Sequence, residues 1–276
     1  IVKTKAAYIL NVDFPDAMDV EDPNDARFVS LADMKHWELA PTNLAAFEKA
    51  NVSFSISSSD LKDSKTFLAN LKKAIQYIIS IHIPIILTVF IPLALGWKYP
   101  NIFSPVHIIF LELIMGPTCS IIYENEPIEK NTMLQKPRPF TTSFFNWKEL
   151  ITSIIQGIMI TLGTLSVYQF AVHEGLNEAV TRTMVFTVLI TANIFLTLVN
   201  RSFYFSIFTT LQYKNNLVGI IIAITIAISA LLLFIQPLTT FFEFENLNTN
   251  QLLICLCAGF VCVVWYEIVK FWKRSR

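Results

Sequence analysis

Six times along this chain a mostly apolar run reaches the length that a helix needs to cross about 30 Å of hydrocarbon, roughly 17 to 25 residues. The runs are Ile75 to Leu95, Val106 to Tyr123, Leu150 to Val172, Met184 to Val199, Leu217 to Leu238 and Leu252 to Phe271. Composition agrees, with 54% of residues hydrophobic, 15% charged and a mean hydropathy of +0.53, outside the usual range for soluble globules. The sequence therefore predicts a mainly α fold: a polytopic transmembrane bundle of six spans over residues 70–274, preceded by a short soluble α/β segment over 1–69. A net charge of zero gives no footprint for a nucleic-acid partner; the bilayer is the partner that the composition implies.

The second run carries Glu112 and a Gly116-Pro117 break, and charge in the connectors decides whether it spans. Lys and Arg collect in short cytoplasmic loops. With six spans, one side receives Lys72, Lys73, Lys130, Lys136, Arg138, Lys148, Arg201, Lys214, Lys273, Arg274 and Arg276, and the other only Lys98 and Arg182. Removing the second span would scramble that bias. The expectation is an integral protein of a bacterial inner membrane with both ends cytoplasmic. Trp97, Tyr99, Trp147, Tyr213, Trp265 and Trp272 fall near the span ends, where amphipathic rings settle.

Polar groups at bilayer depth are costly, so each one is a functional hypothesis. Glu112 lies mid-span, shortly before Gly116 and Pro117. Proline removes a backbone donor and glycine tolerates the distortion, which frees carbonyl oxygens near the carboxylate. Such a place can ligate a cation or carry a proton; a kinked helix with a paired Glu is the structural alternative. His82, Pro84 and Pro92 on the first span, Gln156 on the third, and Thr191 and Asn193 on the fourth could converge on Glu112, although interhelical hydrogen bonding explains each singly. Gly157 and Gly163 read as close-packing positions. Cys255, Cys257 and Cys262 are two and five residues apart on one helix and specify no tetrahedral thiolate set. The chain has no P-loop and no Asp-Lys-Thr-Gly phosphorylation motif, so it carries no machinery for nucleotide hydrolysis.

NLKKAIQYIISIHIPIILTVFIPLALGW, HIIFLELIMGPTCSIIYENEPIEKNTMLQKPRP and the four spans after them resemble the C-terminal membrane region of P-type cation-transporting ATPases, in the calcium-pump-like branch. The resemblance covers about residues 70–274, and the loop ENEPIEKNTMLQKPRP is its most specific part. It implies a share in a cation pathway, with ATP and Mg bound by cytoplasmic domains of the pump and no cofactor held in this chain. Carried over residue by residue, Glu112 stands where the family has an Asn ligand, Met115 where it has Thr, and Gly116, before Pro117, where it has Asp. His82 replaces Asn, Ile85 replaces Glu, and Asn193 replaces a Glu on a later span. One carboxylate is a poor cage for a hard divalent cation, which takes six or more oxygens, so the transported ion stays open.

The first 69 residues read differently. Ala7 to Val20 and Val52 to Ile56 alternate like strands, Ser30 to Asp33 resembles a capping box, and Asp60 with Asp63 opens a further helix. The stretch from Asn11 through Asn70 to Ile75 resembles an inner part of imidazolonepropionase-related amidohydrolases, without their His-x-His metal motif. It implies a chimera joined near NLKKAI. Three functions follow: the membrane part of a P-type cation pump, inactive as an ATPase by itself; an amidohydrolase fragment on a membrane passenger; and a non-transporting membrane scaffold.

Overall fold

The computed structural model describes residues 8–11, 29–39, 49–50, 54–57, 64–127, 129 and 147–275. Two compact units divide the chain, Ile1–Lys65 and Thr66–Arg276. In the first, strand β1 (Tyr8–Asn11) pairs in parallel with β2 (Phe54–Ser57), Tyr8 opposite Phe54 and Asn11 opposite Ser57. Between them in the chain lies helix α1 (Leu31–Leu39). Ser30 starts it: its Oγ accepts from the Asp33 amide at 3.1 Å and donates to the Asp33 carboxylate at 2.6 Å, the capping arrangement expected from the sequence. The remainder of the expected Ala7–Val20 strand and the Asp60–Asp63 helix start lie outside the described residues.

Among the described residues, the regular elements of the second unit are all helices. Its helices are α2 (Ser64–Ala94), α3 (Pro105–Pro117), α4 (Trp147–His173), α5 (Glu178–Asn200), the short α6 (Ile207–Thr210), α7 (Asn216–Phe234), the short α8 (Gln236–Phe241) and α9 (Thr249–Ser275). At Pro117 the α-helix gives way to a π-helical stretch, Thr118–Tyr123, so α3 and its extension make one 19-residue span. Pro117 cannot donate to the Leu113 carbonyl, and a widened turn is one way a helix accommodates that loss. Six segments are thus long and apolar enough to cross a membrane: Ala69–Ala94, Pro105–Tyr123, Glu149–His173, Glu178–Asn200, Asn216–Phe234 and Thr249–Ser275. Two helix ends close with a left-handed glycine, Gly96 (φ 61°) and Gly175 (φ 71°). There the next amide reaches back, Trp97 to the Pro92 carbonyl and Leu176 to that of Ala171, the αL closure that glycine adopts without a Cβ clash.

Helix α5 is the hub. Every residue from Val180 to Asn193 is buried, as befits a helix walled in on all sides, and α4 and α9 pack on it and on each other. Small residues set these approaches. A methyl group added at Gly259 would stand 2.7 Å from Thr191 Cβ on α5, and one at Gly163 2.9 Å from Cys262 Cβ on α9. One at Gly157 would stand 2.8 Å from Ile83 Cβ and 3.0 Å from the Ser80 carbonyl oxygen on α2, the carbonyl that Pro84 deprives of its helical donor. Gly157 and Gly163 are close-packing positions, as the sequence predicts.

The hydrogen bonds sort the helix ends into two groups. One end of the bundle gathers the start of α2, the π-helical end of the second span and the starts of α4 and α7, together with the finish of α5 and of α9. It holds Lys72, Lys73, Arg201, Lys214, Lys270, Lys273 and Arg274, and is called the basic end below. The opposite end gathers the Tyr99–Ser104 connector, the start of α5 and the turn after α8, with Lys98 and Arg182.

Candidate ion pathway

His82 and Glu112 meet near the middle of their spans, His82 Nε2 lying 3.2 Å from Glu112 Oε1. Among the described residues no other Asp, Glu, Lys, Arg or His occupies the central third of any span. The second ring nitrogen, Nδ1, is 2.8 Å from the Ile78 carbonyl one turn back. A carbonyl only accepts, so Nδ1 carries a hydrogen, and the Nε2···Oε1 contact has room for one further proton. That proton belongs to an imidazolium beside a carboxylate or to a carboxylic acid beside a neutral imidazole, and the pair is neutral in both forms. Once it departs, the pair carries one negative charge. The arrangement can therefore hold either a proton or, in its place, a cation. Both side chains are about two-fifths exposed, 41% and 42%, on a face that also presents Ile78, Ile86, Ile109 and Leu113.

The other expected site residues go elsewhere. Met115 is buried in the core one turn beyond Glu112, while Gly116 is exposed with open space where a side chain would be. Pro117 marks the change from α- to π-helical geometry. Asn193 does not reach Glu112: its Oδ1 accepts the Tyr77 hydroxyl in the bundle interior. Thr191 Oγ1 donates to its own helix at the Thr187 carbonyl, 2.7 Å away. Gln156 bridges three helices, accepting from Ser80 Oγ at 3.1 Å and exchanging hydrogen bonds of 2.9 and 3.1 Å with Asn200. The expected convergence on Glu112 is thus met by His82 alone. Opposite faces of α2 carry two separate polar systems: His82 on the outer flank, and Tyr77 with Ser80 toward α4 and α5.

A third polar system at the basic end escaped the sequence reading. Glu126 (side chain 0% exposed) and Arg201 (2%) form a buried ion pair, Nε to the two carboxylate oxygens at 3.0 and 3.2 Å. Asn215 Nδ2 donates to Glu126 Oε2 at 2.9 Å, and Asn70 Nδ2 to the Glu126 carbonyl at 2.6 Å. Lys73 pairs with Glu129 at 2.6 Å, and Ser202 Oγ donates to the same carboxylate at 2.9 Å. The segment after the second span is thereby tied to α2, to the end of α5 and to the start of α7. Burial, and after it the Glu129 and Glu126 charges, push the nearby Tyr213 phenol above its ordinary range, against the pull of Arg201. The sequence displayed these charges only as loop charges; no spacing rule pairs residues 75 positions apart.

Residues 100–272 match the family model described as cation transporting ATPase, C-terminus. The chain belongs to that family. Among curated proteins, this cation-ATPase C-terminal region is similar to calcium-transporting ATPase type 2C member 1 of Homo sapiens, 26% identical over 220 residues, 79% of this chain and 24% of that protein. It is also similar to calcium-transporting ATPase 1 of Schizosaccharomyces pombe, 24% identical over 267 residues, 94% of this chain and 29% of that protein. A bacterial relative, calcium-transporting ATPase 1 of Bacillus cereus, is 22% identical over 230 residues, 78% of this chain and 26% of its own. The chain spans about a quarter of the length of these relatives. At 94% of the chain, the Schizosaccharomyces pombe match runs into the first 69 residues. The amidohydrolase resemblance and the chimera built on it gain no support from these proteins. A bacterial origin gains none either, since the relatives are both bacterial and eukaryotic. Family and six apolar helices together make this an integral membrane protein.

Proposed function

We propose that this chain supplies part of the ion pathway of a P-type cation pump, and that the His82–Glu112 pair exchanges a proton for the transported cation. The one-proton geometry at mid-span carries the reading. ATP and Mg are handled by cytoplasmic domains of the pump, and this region hydrolyses nothing itself. The half-exposed face bearing the pair is covered in the pump by its remaining membrane part, because a charge at bilayer depth is costly against lipid alone. The calcium of the relatives' names does not follow from the family alone. Met115 and Gly116 offer no side-chain oxygen, and the Asn193 oxygen is engaged by Tyr77, which leaves far fewer than the six or more oxygens that calcium takes. The basic end faces the cytoplasm, following the positive-inside bias.

The test is ATP-driven cation uptake, with simultaneous intravesicular pH recording, by vesicles carrying the complete pump. Glu112→Gln keeps the volume but removes the exchangeable carboxylate, and is expected to lower uptake at least about tenfold, roughly 1.4 kcal/mol. His82→Gln is expected to abolish counter-movement of protons. Wild-type uptake and wild-type proton movement in both variants would refute the assignment. The amidohydrolase-on-a-passenger alternative is not favoured, given how far the ATPase match extends. A passive scaffold would leave both variants silent.

A further inference from the structure

His107 sits at the end of the bundle opposite the basic one, in the first turn of α3, and both of its ring nitrogens are committed. Nδ1 accepts from the Ser104 amide at 3.1 Å and lies 2.7 Å from Ser104 Oγ, while Nε2 is 2.7 Å from the Phe242 carbonyl. A backbone amide only donates and a carbonyl only accepts, so the partners dictate one form: neutral imidazole, bare at Nδ1 and protonated at Nε2. The Ser104 carbonyl in turn accepts the His107 amide at 3.0 Å. This is one half of a capping box, with histidine in the place usually taken by Glu or Gln; Ser104 Oγ faces Nδ1 and not the His107 amide.

The other half of the contact is unusual in its own right. Phe242 precedes Glu243, the one non-glycine residue among those described with positive φ, 49°, a conformation that costs an L-residue about 1 kcal/mol or more. The turn is held in place by Arg182 of α5, which donates to the Glu243 carbonyl at 3.1 Å and its carboxylate at 2.8 Å, and to the Ile102 carbonyl at 2.8 Å. Glu178 holds the same guanidinium at 2.7 Å. Phe103, Phe242 and Phe244 wall the imidazole, with ring centroids 5.7, 5.8 and 5.2 Å away. The charged groups facing His107 are thus Arg182 from α5 and Glu243 from the turn; its own helix presents none until Glu112.

We infer that His107 is a proton-operated latch between the first turn of α3 and the Thr239–Phe244 turn, closed when the imidazole is neutral and released when it is protonated. A second proton must go on Nδ1; Ser104 Oγ, 2.7 Å away, can accept it by turning its own hydrogen aside, but the Ser104 amide then meets it donor to donor. That proton also sets a positive charge at a helix N-terminus, the unfavourable end of the helix dipole, beside Arg182. The open form therefore binds one more proton, so latch stability is present above the imidazole pKa and lost as pH falls through it. The helix released is the one bearing Glu112, but the latch does not depend on the pumping role of that residue.

The experiment uses the whole chain in phospholipid nanodiscs, with amide hydrogen exchange of residues 106–110 and 239–245 followed from pH 8 to pH 5 and corrected for intrinsic chemistry. Protection in both segments is expected to fall together by about tenfold on acidification. His107→Gln should keep both hydrogen bonds, amide oxygen to Ser104 and amide nitrogen to Phe242, with protection that no longer responds to pH. Loss of protection confined to one segment, or a pH response that survives in His107→Gln, would overturn the latch. If that variant fails to assemble, the imidazole 15N shifts of the unmodified chain decide: Nε2–H at pH 8 and a doubly protonated ring at pH 5 support it, and any other tautomer at pH 8 sinks it.

Discussion

At the scale of single residues, the distinction that matters is between positions where a helix is approached by another helix and positions where it faces outward. Gly259 and Gly219 lie on consecutive apolar spans and look equivalent in the sequence, yet a methyl group meets Thr191 at 2.7 Å at the first and nothing within 4 Å at the second. Gly259→Ala is therefore expected to destabilise the bundle by about 1 to 3 kcal/mol through overpacking. Gly219→Ala should be neutral or stabilising by about 0.4 to 1 kcal/mol, since it restricts only the unfolded chain. Unfolding by SDS titration in mixed micelles separates the two; equal effects would mean that α9 does not press on α5 at Gly259. The residue scale is also where sequence reading was least complete. Glu112 and His82 were visible as ionisable residues at bilayer depth. That Asn193 turns to Tyr77 instead depends on which flank of α2 each residue occupies, and helical phase across two spans is not written in either one alone.

At the basic end the segment after the second span is fastened to the bundle by buried ions. Removing one partner of the Glu126–Arg201 pair leaves an uncompensated buried charge, and such losses run to about 3 to 5 kcal/mol. Arg201→Met should accordingly unfold at much lower SDS fraction than the unmodified chain, and Glu126→Leu likewise. The double variant should regain most of the difference, because neither charge of that pair then remains to be desolvated. Additive losses in the double variant would show that the two residues do not share one site. The six spans were legible in the sequence, five from apolar length and the second with the help of connector charge; the short α6 and α8 were not. The π-helical stretch was half legible: Gly116-Pro117 announced a break, but whether the helix kinks, stops or widens is settled by how Tyr123 and Ile122 pack, Tyr123 against Tyr77 at 5.3 Å between ring centroids and Ile122 against Val218 and Ile221.

On the scale of the whole molecule, an even number of spans brings the start of α2 and the finish of α9 to the same end. Reporter fusions near residue 66 and after residue 275 should report one and the same compartment, which the charge bias predicts to be the cytoplasm. Opposite compartments would disprove the six-span arrangement. Truncation after Asn248 removes α9 and lays bare the flank of α5 that carries Thr191, so the shortened chain should be recovered in far lower yield than the full one. The parallel pairing of β1 with β2, 46 residues apart in register, was not legible in the sequence, because nothing local links two four-residue strands at that distance.

The enclosure of α5 from Val180 to Asn193 has one more consequence. A rod gripped around its whole circumference has no slack to tilt, slide or turn, so it serves as the axle of the assembly. The rim has more freedom: α2 and α3 carry the proline-interrupted stretches and hold the His82–Glu112 pair on their outward flank.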